Sequence, residues 1–134
     1  MVLDDSFAFK SINEIQNLYK EKQLSPVEMT ELYIARIQKL NGQLNAYLTY
    51  SFDRAIDKAK LAEKEIMSGK DKGLLHGIPV AVKDLELTKG IRTTSGSLIY
   101  KDRIPDSDSI VVERLKTNNA IILGKTNTPE FGLL

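Results

Sequence analysis

The sequence predicts an α/β fold in which helices are followed by the first strands of a mixed sheet. Helix-start signals and apolar stripes at helical spacing fill residues 1–70. Two short, wholly apolar runs in residues 71–134 are typical of buried strands. The polar, glycine-bearing connection 69–73 is the expected boundary between these parts. A length of 134 residues suits one domain, or part of one.

Three helices are predicted in the first half. Ser11 with Glu14 forms the sequence signature of a capping box. Ser25-Pro26 with Glu28 repeats that signature, with proline at the first helical position, and this second helix is expected to end near Asn41-Gly42. A third helix is expected over residues 52–67, while residues 44–50 favour no element. The positions expected to face inward in the second and third helices are Met29, Tyr33, Ile37, Leu40, Phe52, Ile56, Ala59, Ala62 and Ile66.

The second half is predicted to contain a strand, a helix and a second strand. Residues 78–82 are all apolar, the pattern of a strand covered on both faces. Asp108 or Ser109 can cap a helix that runs to about residue 119, and the apolar run 120–124 follows. Such an order makes a right-handed crossover between parallel strands plausible.

Composition excludes several functional classes. The 19 Lys and Arg residues nearly balance 18 Asp and Glu residues, so neither a nucleic-acid surface nor a polybasic membrane anchor is expected. With no cysteine and one histidine, we expect no disulfide, no metal site and no cofactor. The amino end carries acidic residues where a signal peptide carries basic ones, and no apolar run is long enough for a membrane span. A cytoplasmic location is expected.

Lys83 is the principal candidate for chemistry. It comes directly after the first apolar run, and ligands of open α/β sheets bind beyond the carboxyl ends of the strands. A lysine that is partly desolvated there can act as a base, although most lysines after a strand simply return the chain to water. Asp84 could hold that ammonium or cap the following loop, and we favour the structural role. His76 could be a general base, but a loop histidine bonded to backbone is commoner.

Two further patterns carry weaker signals. The segment GIRTTSGS, residues 90–97, is small and hydroxyl-rich, so it can approach a substrate or form ordinary turns. Neither Ser95 nor Ser97 has the glycine two residues earlier that a nucleophile elbow requires. Gly124-Lys125-Thr126 resembles the end of a phosphate-binding loop, but Asn119 stands where that motif needs its first glycine.

The carboxyl end carries an additional helix-start signal. Thr128, Pro129 and Glu130 suit an N-cap, a first-turn proline and a first-turn acid, yet only four residues follow. Two buried strands also need more neighbours and cover than this length provides. We therefore expect the chain to be a truncated piece of a larger protein.

Three segments together resemble the amidase signature family. They are LHGIPVAVKD, then GIRTTSGS, then PDSDSIVVERLKTNNAIILGKTNTPEF, in unbroken order over about residues 74–131. The family includes bacterial and archaeal amidases, fatty acid amide hydrolases and the A subunit of the tRNA-dependent amidotransferase. The resemblance implies that the chain is the amino-terminal portion of the amidase signature fold, a mixed sheet core flanked by helices.

The resemblance also implies an activity. Family members cleave carboxamide carbon–nitrogen bonds with a Ser-cisSer-Lys triad, in which a neutral lysine serves a serine in a cis peptide bond and that serine deprotonates the nucleophilic serine. Lys83 matches the family's lysine. Both triad serines and the oxyanion loop are expected beyond Leu134, so the isolated chain is expected to be inactive.

Two alternatives stay open. The longer protein could be an amidotransferase A subunit, which works with protein partners and charged tRNA, or a free-standing amidase acting on a small-molecule amide. The chain could instead be a stable non-catalytic module that associates with a partner or with itself through an uncovered sheet edge and an apolar stripe.

Overall fold

The computed structural model describes residues 4–133, so the first three residues of the acidic amino end and Leu134 lie outside the described part. It contains four helices and three strands in that part. In chain order they are α1 (Ile12–Lys20), α2 (Pro26–Leu44), β1 (Tyr47–Tyr50), α3 (Phe52–Met67), β2 (Pro79–Lys83), α4 (Ile110–Thr117) and β3 (Ile121–Thr126). Short 3-10 turns occupy Asp5–Phe9, Leu98–Tyr100 and Glu130–Gly132.

Both predicted capping boxes are confirmed. Glu14 N donates to Ser11 Oγ over 3.3 Å, and Ser11 N donates to the Glu14 carboxylate over 2.7 Å. Ser25 and Glu28 make the same reciprocal pair at the start of α2. These bonds satisfy backbone N–H groups that have no partner inside a helix.

The end of α2 was predicted too early. The helix continues through Asn41-Gly42 to Leu44 and ends at Asn45, whose left-handed backbone (φ 49°) forms the cap. A glycine inside a helix costs only about 1 kcal/mol relative to alanine, which the surrounding packing offsets. Asn41 does not stop the helix but instead accepts a hydrogen bond from Tyr47 N over 2.8 Å, which fixes the turn into β1.

The third predicted helix is confirmed, with a different set of most buried positions. Its fully buried side chains are Ala55, Ala59 and Ala62, which form one helical stripe against the sheet. Phe52, Ile56 and Ile66 were expected to be inward and are half-buried instead. Small side chains on the contact stripe let α3 lie close to β3.

Helix α1 is tied to the segment that precedes β2. The side-chain amide of Gln16 donates to the carbonyls of Leu74 (2.8 Å) and His76 (2.9 Å). The hydroxyl of Tyr19, which is buried, donates to the carbonyl of Gly77 over 3.0 Å. The helical half thereby fixes the point at which β2 begins.

The three strands form one mixed sheet in the order β1-β3-β2. As predicted, β2 and β3 are parallel, with α4 in the connection between them. Residues 44–50, for which the sequence favoured no element, supply β1, which runs antiparallel to β3. Gly124 allows this pairing, because a Cβ at that position would collide with the carbonyl oxygen of Thr49.

The prediction that residues 78–82 form a strand covered on both faces is wrong. Val82 is buried, but Pro79 and Val80 are half-buried and Ala81 is exposed. The reason is topological: β2 is an edge strand, whereas the central strand β3 is buried from Ile121 to Lys125. An apolar run in a sequence shows that a strand could be buried on both faces. It does not show that other elements are present to cover both faces.

The helix predicted from Thr128 is not formed in the described residues. Only a 3-10 turn over Glu130–Gly132 follows, and it begins after Pro129 with no side-chain cap. Phe131 has a left-handed backbone (φ 52°), which interrupts helical geometry. Within residues 4–133, no helix combines the length and apolarity that a membrane crossing requires.

Candidate active site

Lys83 is the last residue of β2, at the carboxyl end of the parallel strand pair. Its side chain is exposed, and none of the salt bridges among residues 4–133 includes its ammonium. The partial desolvation expected from a doubly covered strand is therefore not supplied by the described residues. The side chain is free to meet a substrate or a further polypeptide segment.

Asp84, the next residue, is fully buried and joins three parts of the chain. Its backbone N–H donates to Thr126 O over 2.9 Å, and its carbonyl accepts from Ser95 N over 2.9 Å. Its carboxylate oxygen Oδ2 accepts hydrogen bonds from the backbone N–H (3.0 Å) and from the hydroxyl of Thr94. The structural role predicted for Asp84 is confirmed, because these bonds fasten the hydroxyl-rich loop to the end of β2.

The ammonium beside Asp84 belongs to Lys125 and not to Lys83. Lys125 Nζ lies 3.6 Å from Asp84 Oδ1, and both side chains are completely inaccessible to solvent. Nζ also donates to the carbonyl of Glu86 (2.7 Å) and to the hydroxyl of Thr93 (2.8 Å). The ammonium thus makes two hydrogen bonds and an ion pair with Asp84 Oδ1, which accepts no hydrogen bond from the described residues.

The pKa of Lys125 is lowered to about 8 by its burial, which disfavours the charged form. The carboxylates of Asp84 and Glu86 act in the opposite direction and favour the charged form, while the guanidinium of Arg103 lowers the pKa further. The result is a buried lysine that loses its proton more readily than an exposed one. Near neutral pH it is a cation held by Asp84.

Sequence reasoning missed this buried pair. Lys125 follows an apolar run, which is also the pattern of a lysine that leads the chain back to water. The signal that could reveal the pair is the strand register. Strands β2 and β3 are parallel and Val82 lies opposite Lys125, so Asp84 and Lys125 come near the same end of the sheet. Opposite charges at the ends of two neighbouring buried strands are candidates for a pair.

The loop 90–97 packs under this pair, and the hydroxyls of its two candidate serines are already engaged. Ser95 has a left-handed backbone (φ 54°), and its Oγ accepts a hydrogen bond from Arg103 Nη2 over 2.8 Å. Ser97 Oγ donates to the carboxylate of Glu130 over 2.7 Å. Ser95 Oγ thus faces a cation, and among the described residues neither serine is hydrogen-bonded to a histidine or a lysine, in agreement with the weak nucleophile signal.

His76 is fully buried, and its side chain does not bond to backbone as expected. Its Nε2 lies 2.9 Å from the carboxylate of Glu65 on α3. The cause is the tight approach of residues 74–77 to the helical half, which brings the imidazole against α3. His76 also lines a cavity of about 340 Å³ that neither Lys83 nor Lys125 lines. The histidine therefore belongs to a different part of the molecule from Lys83.

Gly124-Lys125-Thr126 lies inside strand β3 and not in a loop. A phosphate-binding loop needs successive backbone N–H groups that point at the ligand, but the sheet pairs this segment on both sides. The segment is therefore a strand and not a phosphate-binding loop.

Comparisons with known proteins point to one family. Residues 28–134 match the family model described as Amidase. The A subunit of the glutamyl-tRNA(Gln) amidotransferase of Geotalea daltonii is 43% identical over 92% of this chain and 25% of its own length. Its counterpart of the same name in Alkaliphilus metalliredigens is 38% identical over the same shares. The chain spans about a quarter of the length of these relatives.

Solved structures give the same result. The peptide amidase of Stenotrophomonas maltophilia is 30% identical and superposes with a TM-score of 0.87 over 96% of this chain and 26% of its own. A bacterial aryl acylamidase of the amidase signature family is 34% identical, with a TM-score of 0.83 over 91% of this chain and 26% of its own. The agreement of sequence, fold and motif order is sufficient for assignment: the chain belongs to the amidase signature family.

Proposed function

We propose that this chain is the lysine-bearing, amino-terminal part of an enzyme that hydrolyses carboxamide carbon–nitrogen bonds. The observation that carries the proposal is the family match over residues 28–134, within which Lys83 stands at the carboxyl end of the parallel strand β2. The chain spans about a quarter of the length of its relatives, so this activity is proposed for a longer protein.

In the proposed mechanism Lys83 is the terminal base of a Ser-cisSer-Lys triad. The neutral amine of Lys83 accepts a proton from the cis serine, which in turn accepts the proton of the nucleophilic serine. The serine oxygen then bonds to the amide carbon, the carbon–nitrogen bond breaks as the leaving amine takes a proton, and water hydrolyses the acyl-enzyme. Dividing the reaction in this way replaces one difficult step by two easier ones.

The exposure of Lys83 adds a requirement to this mechanism. A lysine is neutral near pH 7 only where burial or nearby cations disfavour its charge. The described residues leave Lys83 exposed, so further polypeptide must cover it in the active enzyme. We propose that the two serines and the oxyanion donors lie on that covering segment, after Leu134.

A second candidate is supported by the relatives. Those cited are A subunits of glutamyl-tRNA(Gln) amidotransferases, at 43% and 38% identity, whereas the solved amidases are 30% and 34% identical. In that case the same amide-cleaving site would release ammonia for transfer, within an assembly of several proteins. Copurification of partner proteins with the longer protein would favour this candidate, and a free-standing active enzyme would favour the first.

The proposal is tested by reading the coding region past Leu134 and expressing the longer protein. We expect the frame to continue into a glycine- and serine-rich segment, and the longer protein to release ammonia from carboxamides with saturation kinetics. The isolated 134 residues should show no such turnover. A stop codon directly after Leu134, or saturable hydrolysis by the isolated chain, would contradict the proposal.

A further inference from the structure

The buried pair of Asp84 and Lys125 lies next to the proposed catalytic lysine without itself being accessible to substrate. Both side chains are fully buried, whereas Lys83, one residue before Asp84, is exposed. Successive residues of a strand point to opposite faces of the sheet. The Lys83 amine therefore faces solvent while the carboxylate of the next residue, Asp84, lies in the interior.

That backbone is held from both sides. Asp84 N donates to Thr126 O of β3, and Asp84 O accepts from Ser95 N of the hydroxyl-rich loop. The Asp84 carboxylate binds the loop again at Thr94, and Lys125 binds it at Thr93. Lys125 also binds the Glu86 carbonyl, within the turn that follows β2.

We propose that Asp84 and Lys125 are a positioning pair for Lys83. The two charges draw the turn after β2 and the loop 90–97 onto the end of β3, and this fixes the direction in which the Lys83 side chain leaves the sheet. Neither residue touches the substrate or exchanges its proton. The inference rests on the proposed function of Lys83, because it concerns how that amine is aimed.

An alternative role is stability alone, and the two roles predict different behaviour of matched variants. Removing one partner of a buried pair destabilises a protein strongly, because the other charge is left uncompensated. Removing both partners with uncharged groups of similar shape is often neutral for stability. The double variant Asp84→Asn with Lys125→Met should therefore fold about as stably as the original protein.

The first measurement is steady-state kinetics of the longer protein. In the double variant we expect kcat to fall by about a hundredfold with KM changed less than about threefold, because a small misplacement of a base affects the chemical step and not ground-state binding. The unfolding midpoint should stay near that of the original protein. Lys116→Met with Asp108→Asn is the matched control, since it removes a salt bridge (2.8 Å) between an exposed lysine and a half-buried aspartate, and should leave kcat unchanged.

A conservative pair of variants at Thr94 provides the second kinetic test. Thr94→Val removes the hydroxyl that donates to Asp84 while keeping the shape of the side chain. Thr94→Ser keeps the hydroxyl. We expect Thr94→Val to lower kcat by about tenfold and Thr94→Ser to retain it.

Hydrogen exchange of the 134-residue chain tests the positioning separately from the activity. In the double variant the amides of Asp84, Thr94 and Ser95 should exchange at least about tenfold faster, while amides within α1 and α2 are unchanged. If the longer protein proves to have no amide hydrolysis, the proposed function fails, and this exchange experiment alone decides whether the pair orders the segment around Lys83.

Two results would overturn the inference. One is a double variant with the kcat of the original protein, which would reduce the pair to a stabilising contact. The other is unchanged exchange of the Asp84, Thr94 and Ser95 amides in that variant, which would show that other contacts hold the segment.

Discussion

Lys125 shows how an ionisable side chain is kept in the interior beside a sheet. Its ammonium donates hydrogen bonds to the Glu86 carbonyl and the Thr93 hydroxyl and lies 3.6 Å from the Asp84 carboxylate. Burial affects the pKa of Lys125 more than the nearby carboxylates do, since this pKa falls to about 8. Keeping this charge in the interior therefore costs stability at neutral pH.

That cost predicts an unusual dependence of stability on pH. The pKa of Lys125 is about 8 in the folded chain and 10.5 in an unfolded one. Between these values the unfolded chain binds more protons, so the free energy of unfolding should rise with pH, by about 1 kcal/mol per unit from pH 8 to 9.5. Urea unfolding at intervals of half a pH unit measures this slope.

The upper limit of that pH window is set by buried tyrosines. Burial raises the pKa of Tyr19, Tyr33 and Tyr47 above the ordinary value of 10.0, so unfolding becomes more favourable above pH 10 as these tyrosines ionise in the unfolded chain. The double variant Asp84→Asn with Lys125→Met is the control and should lose the rise. A flat or falling profile between pH 8 and 9.5 in the original chain would contradict the account of Lys125.

The sequence was sufficient to select Lys83 as a candidate and to assign a structural role to Asp84. Position after an apolar run identifies the end of a strand, and motif resemblance identifies the lysine. It was not sufficient to find Lys125, because the burial of a charge depends on which strand becomes central. That is decided by tertiary pairing with β1, a segment for which local pattern favoured no element.

At the scale of elements, the residues at which helices begin were more predictable from the sequence than the residues at which they end. The starts of α1 and α2 are encoded locally by Ser-x-x-Glu boxes, and the structure confirms both. The continuation of α2 past Gly42 depends on packing. The exposed edge of β2 has the same origin, since no local pattern tells whether a neighbouring strand is present.

Alanine substitutions at two glycines are predicted to have opposite effects on stability, which separates local helix propensity from tertiary packing. At Gly124, where β1 approaches β3, alanine would collide with Thr49 O, so Gly124→Ala should destabilise the chain by about 3 kcal/mol. At Gly42, inside α2, no atom lies within 4 Å of an added Cβ. Gly42→Ala should therefore stabilise the chain by about 1 kcal/mol through helix propensity.

Chemical unfolding of both glycine variants measures these changes. Equal effects at the two positions would mean that the close approach of β1 to β3 is not the constraint inferred. The comparison needs no activity, so it tests the sheet topology on the chain alone.

At the scale of the whole molecule, several large apolar side chains are exposed between residues 98 and 111. Leu98 is 86% exposed, Ile99 is 77% exposed and Ile110 is 68% exposed. All three lie in the segment that follows the hydroxyl-rich loop and leads into α4. Exposed apolar side chains that form a patch are characteristic of surfaces that contact other protein.

We expect the isolated chain to self-associate through these residues. Sedimentation velocity should show a mass that rises with concentration, and Leu98→Gln with Ile99→Gln should reduce that rise without changing the far-ultraviolet circular dichroism. A monomer at all concentrations would contradict this prediction.

The fold and the family assignment agree at this scale. The mixed sheet, the parallel pair β2–β3 and the helices before it superpose on solved amidases along nearly the whole chain. What the chain presents is a sheet end with one exposed lysine, held from behind by a buried ion pair. Under the proposed function, the nucleophile comes from another part of the longer protein.

The central claim is that Lys83 is the base of this site, and the most direct measurement is amide hydrolysis by the longer protein carrying Lys83→Ala. We predict that kcat/KM falls by about a thousandfold or more, because the proton of the serine relay has no acceptor. Lys89→Ala, at an exposed lysine in the same segment, should keep full activity. A Lys83→Ala enzyme as active as the Lys89→Ala enzyme would contradict the claim.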